Sequence, residues 1–152
     1  MNKLLILITL SLMATFSNAG SNQAAKTKFK PEEVSTFAKQ VEQYAAKQGA
    51  RAFIIARVGQ PKSKLPKGID FTHTAIAVYS EITLSDGKKV KGYAIHNLYQ
   101  GADDGSVSAL VTDYPVDFFW GAEELTAGII IPTPELQQKI IDVITSSQDK
   151  LL

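Results

Sequence analysis

Two histidines, His73 and His96, are the side chains of this sequence best suited to acid–base chemistry. His73 stands in the stretch FTHTAIAVYS, whose alternation of small, aromatic and β-branched residues predicts a buried strand. Imidazole changes its charge near neutral pH, so a histidine held on a strand can act as the general base that activates a hydroxyl or a thiol. A core histidine hydrogen-bonded to the backbone and a metal ligand are the alternatives. No carboxylate stands near the histidines at a recognisable ligand spacing, so no metal and no cofactor are predicted.

The neighbouring hairpin determines which side chains face His73. The segment SDGK, residues 85–88, predicts a two-residue type I′ turn. The resulting register places Gln100 opposite His73 and His96 on the same face, which makes both of them candidates to orient the imidazole. Asn97 then points to the other face, although a one-residue bulge would reverse this assignment.

The face of the strand that carries His73 also carries Ala75 and Ala77. Such small residues let a helix approach the sheet closely and predict a groove with His73 at its edge. If the domain is incomplete, this apolar groove is expected to be exposed.

A nucleophile for His73 is the element that the sequence does not supply. The chain contains no cysteine. Serines are available, but none stands in the strand–turn–helix context of a nucleophile elbow; the candidates are Ser106, Ser108, Ser146 and Ser147. A serine nucleophile is therefore not predicted.

The elements that must position these residues predict one α+β domain over residues 31–152. An amphipathic helix begins at Pro31 and stops before Gly49. An apolar strand follows, then the hairpin, a short strand or turn up to Asp113, one or two helical turns, a third apolar strand and a C-terminal helix capped by Thr133. This order predicts a mainly antiparallel sheet with a central β-hairpin. The aromatic cluster 118–120 is expected in the core, with a partner surface as the alternative.

The N-terminus predicts export. Residues 1–19 combine Lys3, a short apolar run and small residues before a cleavage site, as in a secretory signal peptide. Residues 20–30 are polar and predict a flexible tether. The expected location is periplasmic or secreted, with no transmembrane anchor in the mature chain.

Charge excludes one class of partner. The whole chain carries a formal net charge of +1, and basic residues do not alternate with aromatic residues as they do on nucleic-acid-binding surfaces. No nucleic-acid partner is predicted.

Several motifs, in order, resemble a known family. ARAFIIARVGQ, FTHTAIAVYS, AIHNLYQ, DYPVDFF and IIIPTPELQQKI resemble the uncharacterised bacterial envelope family catalogued as domain of unknown function 2145, over roughly residues 50–141. The chain is more distantly similar to circularly permuted papain-like hydrolases, which are relatives of NlpC-type wall peptidases and of lecithin–retinol acyltransferase.

The distant resemblance implies a catalytic histidine on a strand, a polar orienting residue on the next strand and a cysteine on a later helix. His73 matches the catalytic histidine. His96 or Gln100 matches the orienting residue, and Asn97 would take that role if the hairpin is bulged. The cysteine has no match, so the resemblance implies either an incomplete hydrolase domain, inactive as given, or a non-catalytic binding or structural module. An intact relative would cleave amides or esters by acyl transfer, with cell-wall peptides or lipids as substrates.

Overall fold

The computed structural model describes residues 26–100 and 107–147, which form three α-helices and one five-stranded sheet. The elements are α1 (Pro31–Lys47), β1 (Ala52–Val58), a 3₁₀ turn (Lys62–Lys64), β2 (His73–Thr83), β3 (Lys89–Gln100), β4 (Ser108–Asp113), α2 (Pro115–Trp120), β5 (Glu124–Ile130) and α3 (Pro134–Ser147). The predicted leader, residues 1–19, lies outside the described residues, as do most of the predicted tether and the loop 101–106.

The sheet has the strand order β4-β3-β2-β1-β5, and every neighbouring pair is antiparallel. Strands β1 to β4 follow one another as a meander, and β5 returns to the free side of β1. The α+β prediction is confirmed. No helix within the described part of the chain is both long and apolar enough to cross a lipid bilayer.

Helix α1 begins and ends where its sequence predicts. Pro31 occupies the first turn, and the Glu33 carboxylate accepts a hydrogen bond from the Lys30 backbone N–H at 2.8 Å. Gly49 follows the helix with φ 69°, a left-handed conformation that favours glycine. The helix buries one apolar stripe against the sheet: Val34, Ala38, Val41 and Ala45.

The turn between β2 and β3 corrects the predicted register. Leu84 N–H donates to the Lys88 carbonyl at 2.8 Å, and Gly87, at φ 80°, donates to the Leu84 carbonyl at 2.9 Å. The loop therefore has three residues, with glycine in the left-handed position, and the prediction of a two-residue turn is wrong. Ile76, rather than Ala77, now pairs with His96. This one-residue shift exchanges the two faces of β3 relative to β2.

The core lies between α1, α2 and one face of the sheet. That face carries the side chains opposite one another on the central strands, and its buried apolar members are Phe53, Ile55, Ala75, Ala77, Tyr93 and Ile95. Phe118 and Phe119 of α2 are fully buried against it, which confirms the core prediction for the aromatic cluster. Ala75 and Ala77 are 6% and 0% exposed. The helices therefore cover the alanine groove, and the exposure expected of an incomplete domain is not observed.

Helix α3 packs on the opposite face of the sheet. Thr133 Oγ1 accepts a hydrogen bond from Leu136 N–H at 3.4 Å, which confirms Thr133 as its N-cap. The buried Gln137 side chain ties the helix to the start of β1, because its Oε1 accepts from the backbone N–H groups of Arg51 and Ala52 at 2.7 and 3.2 Å.

Candidate functional site

His73 is the first residue of β2 and lies directly across from Arg57 of β1. Its side chain is 7% exposed and contacts two aromatic rings. The Tyr99 ring stacks on it with centroids 5.2 Å apart and planes 11° from parallel, and the Phe118 ring of α2 lies 5.5 Å away. The imidazole is therefore held on its faces by carbon atoms, so that polar contacts are made only at its edges.

Asn97 of β3 makes the polar contact to the imidazole. Its Oδ1 lies 3.3 Å from Nε2 of His73, and the side chain is 2% exposed. The three-residue hairpin loop produces this arrangement, because the shifted register turns Asn97 toward His73. Asn97 is the residue that the sequence predicts to face His73 if the hairpin is bulged.

His96 and Gln100 are not placed as the two-residue turn predicts. His96 pairs with Ile76 on the other face of the sheet, where its Nδ1 lies 3.4 Å from Thr112 Oγ1. It is buried there, which lowers its pKa. Gln100 pairs with Ser108 of β4, and its side chain lies outside the described residues. The prediction that His96 faces His73 is wrong, and the reason is the length of the hairpin loop.

Asp113, the last residue of β4, extends the polar chain to a third strand. Its Oδ2 accepts hydrogen bonds from Asn97 Nδ2 at 2.8 Å and from the Tyr99 hydroxyl at 2.6 Å. The carboxylate is 4% exposed. His73, Asn97 and Asp113 thus form a continuous hydrogen-bonded series across β2, β3 and β4. Sequence reasoning did not include Asp113 or Tyr99 in the site. The signal that pointed to Asp113 was an acidic residue at the end of a predicted strand, directly before Tyr114.

Arg57 is a second buried charge beside His73, and it is 3% exposed. Its Nη1 donates to the Phe118 carbonyl near the end of α2, and its Cζ lies 5.3 Å from the centre of the Phe118 ring. A cation suits this position, since the last carbonyls of a helix carry partial negative charge. Within the described residues, Arg57 Nε is the buried side-chain atom that lacks a hydrogen-bond partner. The signal that sequence reasoning missed was a lone charge within the apolar run 52–58.

Burial and Arg57 keep the imidazole neutral. The pKa of His73 falls from 6.5 to about 4, first because burial disfavours the charged ring and then because the Arg57 charge repels it; the Asn97 hydrogen bond and the Asp113 charge oppose this only in part. Burial, followed by the hydrogen bond to Asp113, raises the pKa of Tyr99 to about 12. Burial lowers the pKa of Arg57. At neutral pH the site therefore holds a neutral imidazole and a protonated tyrosine.

The other ring nitrogen of His73, Nδ1, lies in a different environment from Nε2. No residue of ranges 26–100 and 107–147 is hydrogen-bonded to Nδ1. His73 as a whole is 7% exposed. Nδ1 is therefore the ring nitrogen at which a further hydrogen bond could be made.

Other nucleophiles and ligands do not converge on this site within the described part of the chain. Ser108 is exposed, and Ser146 donates to the Val143 carbonyl on α3, across the sheet from His73. Ser106 lies outside the described residues, as does the side chain of Ser147. The described residues contain no group of three His, Cys, Asp or Glu side chains that could hold a metal ion.

Comparison with known proteins gives a family. A family model described as "Uncharacterized protein conserved in bacteria (DUF2145)" matches residues 44–152. No match was found among curated proteins or among solved structures. The matched range includes every member of the polar network around His73. It also covers more than half of the chain, so the protein belongs to this uncharacterised bacterial family.

Proposed function

We propose that this chain carries the imidazole–amide half of a papain-like hydrolase site. His73 is the general base, Asn97 orients it, and the nucleophile is a cysteine thiol that the 152 residues do not contain. The proposal places that cysteine in sequence encoded after Leu152. As given, the chain is expected to be inactive.

The contact between His73 Nε2 and Asn97 Oδ1 carries this proposal. Cysteine hydrolases of the Cys-His-Asn type need an imidazole held at one nitrogen by an amide, with the other nitrogen open to the thiol. Here Asn97 Oδ1 lies 3.3 Å from Nε2, and no described residue is hydrogen-bonded to Nδ1. The contact is longer than an ideal hydrogen bond, as is common in catalytic sites without bound substrate. The pKa of about 4 leaves the ring unprotonated and so able to accept a proton, although so low a value also makes it a weak base.

The reaction supported by this geometry is amide or ester cleavage by acyl transfer. The thiol would give its proton to Nδ1 of His73 while its sulfur attacks the carbonyl carbon, and the leaving amine or alcohol would take that proton away. Water would then hydrolyse the thioester and regenerate the thiol. Cell-wall peptides and lipids are the proposed substrates.

The decisive experiment begins with the reading frame downstream of codon 152. If it encodes a cysteine, the protein from the whole frame is alkylated with iodoacetamide at pH 6, where an unactivated thiol of pKa about 8.5 is almost fully protonated. We expect labelling about tenfold faster or more than in the His73→Gln variant, and an intermediate rate in Asn97→Ala. His96→Gln is the matched control, because His96 lies on the other face of the sheet. A frame without cysteine, or equal rates in the native protein and His73→Gln, would overturn the proposal.

A non-catalytic binding or structural module is the second candidate, and burial favours it. His73, Asn97 and Asp113 are 7%, 2% and 4% exposed. A buried and hydrogen-bonded polar network can specify one arrangement of a core without any catalytic role. Under this candidate, His73→Gln changes the free energy of unfolding and leaves the labelling rate of any cysteine unchanged.

The proposed setting is the bacterial envelope. The signal-peptide pattern of residues 1–19 supports export, with a mature N-terminus near Gly20. N-terminal sequencing of the protein isolated from cell fractions tests this. A protein that retains Met1 and fractionates with the cytoplasm would contradict export.

A further inference from the structure

Asp113 limits the orientations open to the Asn97 amide. A carboxylate only accepts hydrogen bonds, whereas an amide side chain has a donating nitrogen and an accepting oxygen. The Asn97 atom 2.8 Å from Asp113 Oδ2 must therefore be the nitrogen. The amide oxygen is then the atom that faces His73.

The orientation of the amide in turn determines where the imidazole carries its proton. Because Asn97 Oδ1 can only accept, Nε2 of His73 must be the donor at this 3.3 Å contact. A neutral imidazole has a single N–H, so Nδ1 is left with its lone pair. This is the nitrogen to which no described residue is hydrogen-bonded.

Tyr99 donates a second hydrogen bond to Asp113. Its hydroxyl donates to the same Oδ2 at 2.6 Å, while its ring stacks on His73. Its pKa of about 12 keeps the hydroxyl protonated, so it remains a donor throughout the physiological range.

From these contacts, and resting on the function proposed above, we infer that Asp113 is a positioning residue for His73. By holding the Asn97 amide in one orientation, it keeps the imidazole proton on Nε2 and leaves Nδ1 as the proton acceptor. Without Asp113, the amide can turn over and donate to Nε2, which would move the proton to Nδ1 and remove the lone pair from that nitrogen.

The test is the tautomer of His73 in the 152-residue chain, read by long-range ¹H–¹⁵N correlation spectra at pH 7. We expect the Nε2–H form alone in the unmodified protein. The near-isosteric variant Asp113→Asn can present either an oxygen or an N–H to Asn97, so we expect its Nδ1–H form to rise from undetectable to at least about a tenth of the population. Tyr99→Phe is the matched control and should keep the Nε2–H form, because the Asn97–Asp113 hydrogen bond remains. The tautomer of His96 serves as an internal reference.

Two results would overturn the inference: an Nδ1–H tautomer in the unmodified protein, or an unchanged tautomer in folded Asp113→Asn. If this variant does not fold, the orientation of the amide is tested in the unmodified protein instead. The measurement is a scalar coupling across the hydrogen bond, between Asn97 Nδ2 and the Asp113 carboxyl carbon. Its presence supports the orientation, and its absence refutes it. None of these readouts needs a cysteine or a substrate, so the inference and the proposed hydrolase function can fail separately.

Discussion

Replacing His73 with glutamine should weaken the pH dependence of this protein's stability between about pH 4 and 6.5. The folded ring has a pKa of about 4, against 6.5 for an exposed histidine. Between these values the unfolded chain binds a proton that the folded chain does not. The free energy of unfolding should therefore be highest above pH 6.5 and fall as the pH drops toward 4.

The depressed pKa of His73 also sets the size of this effect. One pKa unit corresponds to about 1.4 kcal/mol, so the full depression would amount to about 3 kcal/mol. Solvent screens part of the interaction, since the ring is not fully buried, and we expect about 2 kcal/mol in practice. His96 contributes with the same sign, since burial lowers its pKa too, but it is present in both proteins and cancels in the comparison.

Urea denaturation followed by circular dichroism at half-unit steps from pH 4 to 7.5 measures this difference. The native curve should lose about 2 kcal/mol more than the His73→Gln curve between pH 7 and pH 4, whatever the stability of the variant at pH 7. A ¹H NMR titration of the His73 ring gives an independent value. Parallel stability curves, or a titration midpoint near 6.5, would refute the view that burial and Arg57 keep this ring neutral.

Three further perturbations examine the surroundings of the site. Arg57→Met should raise the pKa of His73, because the Arg57 charge is the second cause, after burial, of the low value. Arg57→Lys keeps the charge and should leave the pKa of His73 low. An unchanged NMR titration of His73 in the Met variant would contradict this reasoning. Tyr99→Phe removes one donor to the buried Asp113 carboxylate and should lower the free energy of unfolding by about 1–3 kcal/mol in urea denaturation. A loss below about 0.5 kcal/mol would argue against that hydrogen bond. Gly87→Ala should lower the free energy of unfolding by about 1–2 kcal/mol in the same assay, because alanine is disfavoured in the left-handed conformation of this residue. The added Cβ meets no atom within 4 Å, so no steric clash contributes. Unchanged stability would argue against the positive φ.

The order of elements could be predicted because each carries a local signal. Pro31 and Gly49 mark the limits of the first helix, and alternating or continuous apolar runs mark the strands. These signals depend on residues close together in sequence. The helix, strand, hairpin, short helix, strand and helix of the prediction all occur in the described residues.

The site depends on pairings that no local signal determines. An Asp-Gly pair forms both two-residue and three-residue hairpin loops, so the sequence left the choice between His96 and Asn97 open. Asp113 and Arg57 come from strands separated from His73 by 40 and 16 residues, and only the sheet order brings them to one face. A polar residue in a strand shows neither which face it occupies nor which side chain it meets until the register is known.

The three-residue loop 85–87 lies about 30 Å along β3 from Asn97, at about 3.3 Å per residue, yet it determines which side chain meets His73. While that turn stays tight, inserting one residue there would bring His96 to the position of Asn97, and deleting one would bring Leu98. Inserting two would return the original side chains to that face but displace them along the strand, so that Ile95 takes the place of Asn97. Natural variation and peptide grafts at this hairpin should therefore be tolerated only where the added residues extend the loop and leave the pairing of β2 with β3 unchanged.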